Sequence, residues 1–363
     1  MRVVLLGNAD NVHVQRWVDA LAARDLDLTL VTQHKPVGWT SPDRVRMRVL
    51  PFRGPIGYFA NAPRLKRILR DVRPELLNVH FASGYGTMSA LVGFPRTVLS
   101  VWGSDVFDFP YRSWVAGRLI RRNLRRAQRI ASTSHVMAAQ VRRLVPEVAA
   151  VDITPFGVDS DAFHPQAGSR AAGECTIGTV KTLADKYGVD VLIRAFSRLA
   201  TDPDILGSGI RLRLVVVGDG PKRESLEELT GQLELDAQTQ FVGKVAHRDV
   251  PAWLNRMDIF VAASRLDSES FGVAVIEASS CALPVVVSDA GGLPEVVQQG
   301  ETGLIVPRED VAALHAAMKR LVLDADLRQT MGSAGREFVR REYEWDSCVD
   351  RMLSCYEAVI GTR

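Results

Sequence analysis

The sequence predicts an α/β protein built from two Rossmann-like domains facing each other across a central cleft. Three observations predict it. Short β-branched apolar runs alternate with helical periodicity along the whole chain, as in parallel sheets joined by helices. The pattern pauses once, at 155–173, a stretch rich in Pro, Gly, Asp and Ser. It then restarts, and 363 residues are enough for two domains of ordinary size.

In the first half, strands are expected at 3–6, 28–32, 46–50, 76–79, 97–101, 130–133 and 152–154, with helices at 12–23, 62–72, 85–92, 113–127 and 135–144. In the second half, strands are expected at 176–180, 211–217, 239–241, 259–261, 285–287 and 303–306. Helices fit 189–200, 223–235, 250–256, 273–281 and 293–299, and three more follow Asp310. The domains are therefore drawn as 1–165 and 166–345, with 346–363 a terminal helix expected to cross back to the first domain. Ligands of open α/β sheets sit beyond the strand carboxyl ends, so the facing crevices are expected to form one site.

Composition narrows the function. Hydrophobic residues make up 47% and charged residues 24%, which suits a well-cored globular chain. No run of eighteen apolar residues suggests a membrane span. The opening MRVVLLGNAD is too soon polar for a signal peptide and reads as a buried strand and turn. Cys175, Cys281, Cys348 and Cys355 are scattered without a C-x-x-C, which fits a reducing cytoplasm better than disulfides or zinc. The histidines show no metal-ligand spacing, and no G-x-S-x-G nucleophile elbow is present. Charge is uneven: up to Pro165 there are 23 Lys/Arg against 13 Asp/Glu, and beyond it 22 against 29. Arg118, Arg121, Arg122, Arg125, Arg126 and Arg129 form one basic group, and Arg64, Lys66, Arg67, Arg70 and Arg73 a second. Such faces attract an anionic membrane or phosphate, or are simply solvated. No recognition motif accompanies them, so nucleic acid is not an expected partner.

The most informative stretch runs from Glu269 to Glu277. It reads as a turn feeding a helix, with Glu269, Phe271 and Gly272 at or before the helix N-terminus and Glu277 inside it. Backbone N–H groups at such an end attract phosphate, and the helix dipole adds to this. The carboxylates instead suit hydroxyls of a sugar and a ribose. Together they describe a nucleotide-sugar, against the plainer alternative of an amphipathic helix with surface glutamates.

The stretch resembles the E-x7-E motif of the retaining glycosyltransferases with the GT-B fold, above all glycosyltransferase family 4. The resemblance continues through VVVGDGP at 215–221, FVGKVAHRDVPAWL at 241–254, DIFVAASRLDSESFG at 258–272 and GLPEVV at 292–297. It covers 176–356 closely and is weaker but traceable over 1–165. It implies that Glu269 and the backbone at Phe271 and Gly272 hold donor-sugar hydroxyls, and that Glu277 binds ribose. Lys186 matches the family's diphosphate lysine. The family's arginine falls on Thr182, so the neighbouring Lys181 is expected to supply that cation. The N–H groups of Gly272 and Val273 would share the diphosphate. Gly218 belongs to a tight turn that would approach the nucleotide, and Val242 and Gly243 mark the base site. The diphosphate would then leave without a metal ion, and no other cofactor is expected.

In the first half, Asn8 and Asn11 occupy the turn after the first strand, and WGSD at 102–105 resembles the family's H-G-x-D. Trp102 replaces the histidine, while Asp105 remains to orient a sugar or acceptor hydroxyl. His80 ends the preceding strand nearby. Asn8, Asn11, His80 and Trp102 are therefore expected near the acceptor, which is a sugar, a lipid-linked group or a small molecule. The resemblance implies a metal-independent retaining transferase moving a hexose or N-acetylhexosamine, from a UDP-sugar first, in cell-surface polysaccharide or glycolipid assembly. It would be cytoplasmic and peripheral on the inner membrane face. A natural-product transferase, a GT-B phosphorylase or epimerase, and a non-catalytic nucleotide-sugar-binding subunit are the alternatives.

Overall fold

Contacts divide the chain into one unit of Met1–Pro155 with the segment from Asp346 onward, and a second of Phe156–Trp345. The computed structural model describes residues 1–148, 150–166 and 173–361. The expected boundary at 165 falls later than the observed crossing. Phe156 already packs its ring edge-on to Phe271 of the second unit, 6.2 Å between centroids. Residues 167–172 of the expected linker, with 362 and 363 of the terminal segment, lie outside the described residues.

The first unit is a seven-stranded parallel sheet. Its strands are β1 (Arg2–Leu6), β2 (Asp27–Thr32), β3 (Arg46–Val49), β4 (Leu76–His80), β5 (Thr97–Val101), β6 (Arg129–Ser132) and β7 (Val151–Ile153). They are ordered β3-β2-β1-β4-β5-β6-β7. Val3 to Leu6 are fully buried, as a central strand covered on both faces requires. The helix Val12–Ala23 starts where the Asn11 side chain accepts from the His13 N–H, and Val14, Trp17, Val18 and Leu21 share its buried face. The order reverses between β1 and β4, so the turns after these two strands flank the switch point.

The last helix, Trp345–Gly361, belongs to this first sheet. Cys348, Val349, Met352, Cys355, Tyr356 and Val359 recur at helical spacing and are buried. The Tyr356 hydroxyl donates to Asn78 Oδ1 on β4 at 3.0 Å, and Arg24 pairs with Asp346 and Asp350 at 3.2 Å each. The four cysteines are unbridged and buried.

The second unit carries β8 (Glu174–Val180), β9 (Arg211–Val217), β10 (Thr239–Gly243), β11 (Ile259–Ala262), β12 (Val285–Ser288) and β13 (Gly303–Val306). They form a parallel sheet ordered β10-β9-β8-β11-β12-β13. Ile177, Leu214, Val216 and Val261 pack with Phe196 and Leu199 of the helix Val189–Ala200 in its core. Here the switch point lies between β8 and β11, which places the segments after Val180 and Ala262 side by side.

One expected helix is absent. The segment 293–299 forms only the single 3₁₀ turn Leu293–Val296, and Val297 is extended. Gly291 and Gly292 are held by the loop before them: Gly292 N–H donates to Glu269 O at 2.9 Å, and Gly291 N–H to Asp267 Oδ1 at 3.2 Å. Gln299 must then bridge to Gly303, which leaves room for one turn. Short helices at Gly54–Ala60, Ser104–Phe107 and Pro203–Ser208 add to those expected.

Candidate functional site

The second unit gathers most of the expected donor residues at its switch point. The helix Val273–Ser280 begins at Gly272, whose φ of 96° is left-handed, and no side chain caps it. A Cβ there would also lie 2.8 Å from Leu293 Cδ2, so both conformation and space call for glycine. Phe271 anchors this start. Its ring is buried against Phe156 and Tyr343, so only its backbone faces outward chemistry. The result is a bare helix N-terminus with dipole and N–H groups suited to an anion.

Glu269 precedes that start and Glu277 lies inside the helix, and both are buried, 8% and 4% exposed. Adjacency of β8 and β11 brings Lys181 onto Glu269: Nζ to Oε1 is 2.8 Å, both side chains being about nine-tenths buried. Ser264 Oγ lies 3.5 Å from the second oxygen of Glu269. Glu277 Oε1 lies 2.8 Å from His247 Nε2. Each expected carboxylate thus has its own nitrogen partner. Lys181 and Lys186 share Tyr187, their ammonium groups 4.9 and 4.6 Å from its ring centroid. Thr182 is exposed on the same loop.

The loops are braced from outside. Arg265 N–H donates to Lys186 O at 2.8 Å, while its guanidinium meets Asp190 at 2.5 Å and Glu309 at 3.1 Å. Arg308 bridges Asp267 and Asp289 at 2.8 and 3.0 Å. Gly218 is required by packing within the unit. A Cβ on it would lie 1.8 Å from Lys181 O, and its N–H donates to Gly243 O at 2.9 Å. The close approach that requires glycine is made by the loop after β8. Gly218, Gly243 and Lys181 are brought together by that packing, with Val242 partly buried beside Gly243.

The first unit disposes of its polar residues differently. Asp105 is fully buried and accepts from the N–H groups of Ala82 (2.7 Å), Trp102 (3.0 Å) and Gly103 (2.9 Å). Burial pushes its carboxyl above the usual range, and those N–H groups pull against the rise. It steadies the turn at Phe81, whose φ of 83° is strained for an aromatic residue. The Asp105 carboxylate, expected toward a substrate hydroxyl, is taken up here by the backbone of this loop. His80 is 2% exposed, with Nε2 2.6 Å from Asn78 Oδ1, and burial pushes its pKa down to about 3. It is a neutral imidazole in the core, with Nδ1 buried and without a hydrogen-bond partner. Asn8 Oδ1 accepts from Asp10 N–H at 3.0 Å and Asn11 Oδ1 from His13 N–H at 2.9 Å, so both side-chain oxygens serve the turn. Trp102 stands partly exposed between His80 and His13, with centroids 5.3 and 5.8 Å away.

His247 and Ser264 were not signalled by the sequence. A lone histidine in KVAHRD carries no spacing signature, and β10 stands three places from β11 in the sheet. Only the path of the chain after β10 reveals the contact. Among the described residues, no three His, Cys, Asp or Glu side chains cluster as metal ligands would.

Comparison with known proteins follows the same division. Residues 161–338 match the family model described as glycosyl transferases group 1, and residues 2–134 that described as glycosyl transferase 4-like. A 2-deoxystreptamine N-acetyl-D-glucosaminyltransferase of Streptomyces fradiae is 32% identical over 316 residues, covering 80% of this chain and 73% of that one. A GDP-mannose-dependent alpha-(1-6)-phosphatidylinositol monomannoside mannosyltransferase of Mycobacterium tuberculosis is 29% identical over 279 residues, covering 72% and 69%. The fold matches sucrose-phosphate synthase from Thermosynechococcus elongatus with a TM-score of 0.83 at 21% identity over the whole of both chains. Anabaena HepE in complex with UDP gives 0.80 at 15% identity over 99% of this chain and 100% of that one.

Proposed function

We propose, from the premise that this chain belongs to the group 1 glycosyl transferases, that it moves a hexose or N-acetylhexosamine from a nucleoside diphosphate sugar to an acceptor hydroxyl. A UDP-sugar is the first donor to test, with retention at the anomeric carbon and no metal ion. The chain is a glycosyltransferase with the GT-B fold. The finer reading is carried by one observation. The uncapped start of the helix Val273–Ser280 lies between Glu269 and Glu277, with Lys181 on Glu269 and Lys186 sharing its ring.

In this reading Glu269 and the Phe271 and Gly272 backbone hold donor-sugar hydroxyls, and Glu277 holds the ribose. The acceptor oxygen bonds to the anomeric carbon as the bond to the diphosphate oxygen breaks on the same face. The acceptor proton passes to a phosphate oxygen of the departing group. Lys186, Lys181 and the N–H groups of Gly272 and Val273 offset the negative charge that develops there, which is how fixed cations and dipoles replace a metal. On the acceptor side the proposal rests on Trp102, a partly exposed aromatic in the turn after β5.

A thermal-shift panel of UDP-, GDP-, ADP- and TDP-sugars tests the donor, with wild type and Glu277→Ala side by side. One nucleotide should raise the melting temperature, and the variant should lose that rise. A rise for none of them sinks the proposal. Turnover in excess chelator and the anomeric configuration of the product test the other two points.

The acceptor is proposed to be lipid-linked, reached from the inner membrane face. No helix among the described residues is long and apolar enough to cross a membrane. The surplus of ten cations up to Pro165 favours an anionic surface and disfavours a polycationic acceptor. Exposed Tyr111, Trp114 and Val115 precede exposed Arg118, Arg122 and Arg125 on the helix Trp114–Arg126. The Mycobacterium relative is named for a phosphatidylinositol-linked acceptor. Co-sedimentation with anionic vesicles, falling as salt rises, is the expected result. Failure to sediment with either anionic or neutral vesicles argues for a small soluble acceptor.

A further inference from the structure

We infer that His247 is a positioning residue for Glu277, and that it sets a preference for ribonucleoside over 2′-deoxyribonucleoside diphosphates. The inference rests on Glu277 being the ribose ligand. Glu277 is 4% exposed, and its Oε1 lies 2.8 Å from His247 Nε2. A carboxylate only accepts, so Nε2 is the ring nitrogen that bears the hydrogen. That bond fixes the rotation of the carboxylate and takes up one lone-pair direction on Oε1. Oε2 lies outside the contact and keeps its own. A cis-diol presents two O–H donors a fixed distance apart. A carboxylate held in one plane can take both, whereas one that rotates takes them only part of the time.

The imidazole is itself held. Phe163 is buried and packs on it, with ring centroids 5.4 Å apart. The Phe163 carbonyl accepts from Ser280 Oγ at 2.6 Å and from Arg336 Nη1 at 3.1 Å. Ser280 lies on the same helix as Glu277, one turn further on. Histidine and carboxylate are therefore referred to one rigid element. The segment bearing His247 leaves β10 through Val242 and Gly243, which the family resemblance places at the base. One short stretch then serves base and ribose together. The His247 side chain is 39% exposed against 6% for Glu277, so its removal opens little of the core.

Calorimetric titration of the full chain with UDP, GDP and ADP, and with their 2′-deoxy counterparts, tests this without knowing the acceptor. Wild type should bind one ribonucleotide about tenfold more tightly than its deoxy form, the scale of a hydrogen bond to a charged group. His247→Ala should weaken the ribonucleotide about tenfold, leave the deoxy form within about twofold, and bring the ratio near one. His247→Gln, whose amide can donate to the same oxygen, should restore part of the ratio. An unchanged ratio in His247→Ala overturns the inference, as does equal weakening of both forms. If Glu277→Gln retains wild-type affinity, or wild type binds none of the three, the ribose reading beneath it fails instead.

Discussion

The two sheets each have a switch point, and their polar residues meet opposite fates there. In the second unit, Glu269 and Glu277 are held by nitrogen partners, Lys181 and His247, beside an uncapped helix start. In the first, Asp105, Asn8 and Asn11 direct their side-chain oxygens to backbone N–H groups, while His80 bonds Asn78 through Nε2 and leaves Nδ1 buried without a partner. One switch point pairs its carboxylates with basic side chains, and the other directs its carboxylate and amide oxygens largely to the backbone of its own turns.

The largest effect should come from breaking the Lys181–Glu269 pair. Glu269→Gln leaves a mostly buried ammonium without its counter-charge, and losing one partner of such a pair costs roughly 3–5 kcal/mol. Turnover should fall about 10²-fold or more, as when a group that stabilises the transition state is removed. The double variant Lys181→Met with Glu269→Gln should recover much of the stability and none of the turnover, because the isolated charge is gone. Denaturant titration and donor turnover read the two separately. Lys186→Ala should depress turnover alone, since its ammonium covers only the Tyr187 ring. Normal turnover in folded Glu269→Gln or Lys186→Ala would remove the donor site from this end of the sheet.

The next effect separates the units by pH. His80 has its pKa lowered by burial to about 3, below its ordinary 6.5. The unfolded chain binds a proton through that interval while the folded chain does not. The stability it contributes is full above pH 6.5 and is lost as pH falls toward 3. The slope is about 1.4 kcal/mol per pH unit, or roughly 3 kcal/mol between pH 6.5 and 4.5. His34, also lowered by burial, acts in the same direction. His80→Gln should remove its share of the slope when stability is followed by denaturant titration at several pH values. Nucleoside diphosphate affinity at pH 7.5 should not move. A change in that affinity would break the contrast between the two switch points.

Much of this was legible in the sequence. Alternating apolar runs disclosed the parallel strands, because a strand buried on both faces must be apolar along its length, as Val3 to Leu6 are. Glu269, Gly272 and Glu277 were readable because their spacing reports a local turn and helix. The 3₁₀ turn Leu293–Val296 was not, since its length is set by Glu269 and Asp267 from another loop. Asp105 and Glu269 are both acids just past a strand, and nothing local distinguishes them. Only the partners differ, three backbone N–H groups for one and an ammonium for the other. His247 was hidden because its partner lies thirty residues away.

The smallest effect probes the same contrast from the last helix. Tyr356 is fully buried, and its hydroxyl donates to Asn78 Oδ1 at 3.0 Å. That oxygen also lies 2.6 Å from His80 Nε2, and Asn78 Nδ2 donates to Ser100 Oγ at 3.0 Å. Tyr356→Phe deletes the donor and keeps the ring, and Asn78 retains the His80 contact. No buried group is orphaned, so the loss should be about 1 kcal/mol, a net hydrogen bond. In a unit of this size that is a shift of roughly 2–4 °C in melting temperature. Asn78→Leu should lose several times as much, because it strands the Tyr356 hydroxyl, His80 Nε2 and Ser100 together. Neither variant should change nucleoside diphosphate affinity. If Tyr356→Phe matches Asn78→Leu in stability, the three groups are not one network, and the first switch point is held by packing rather than by its polar residues.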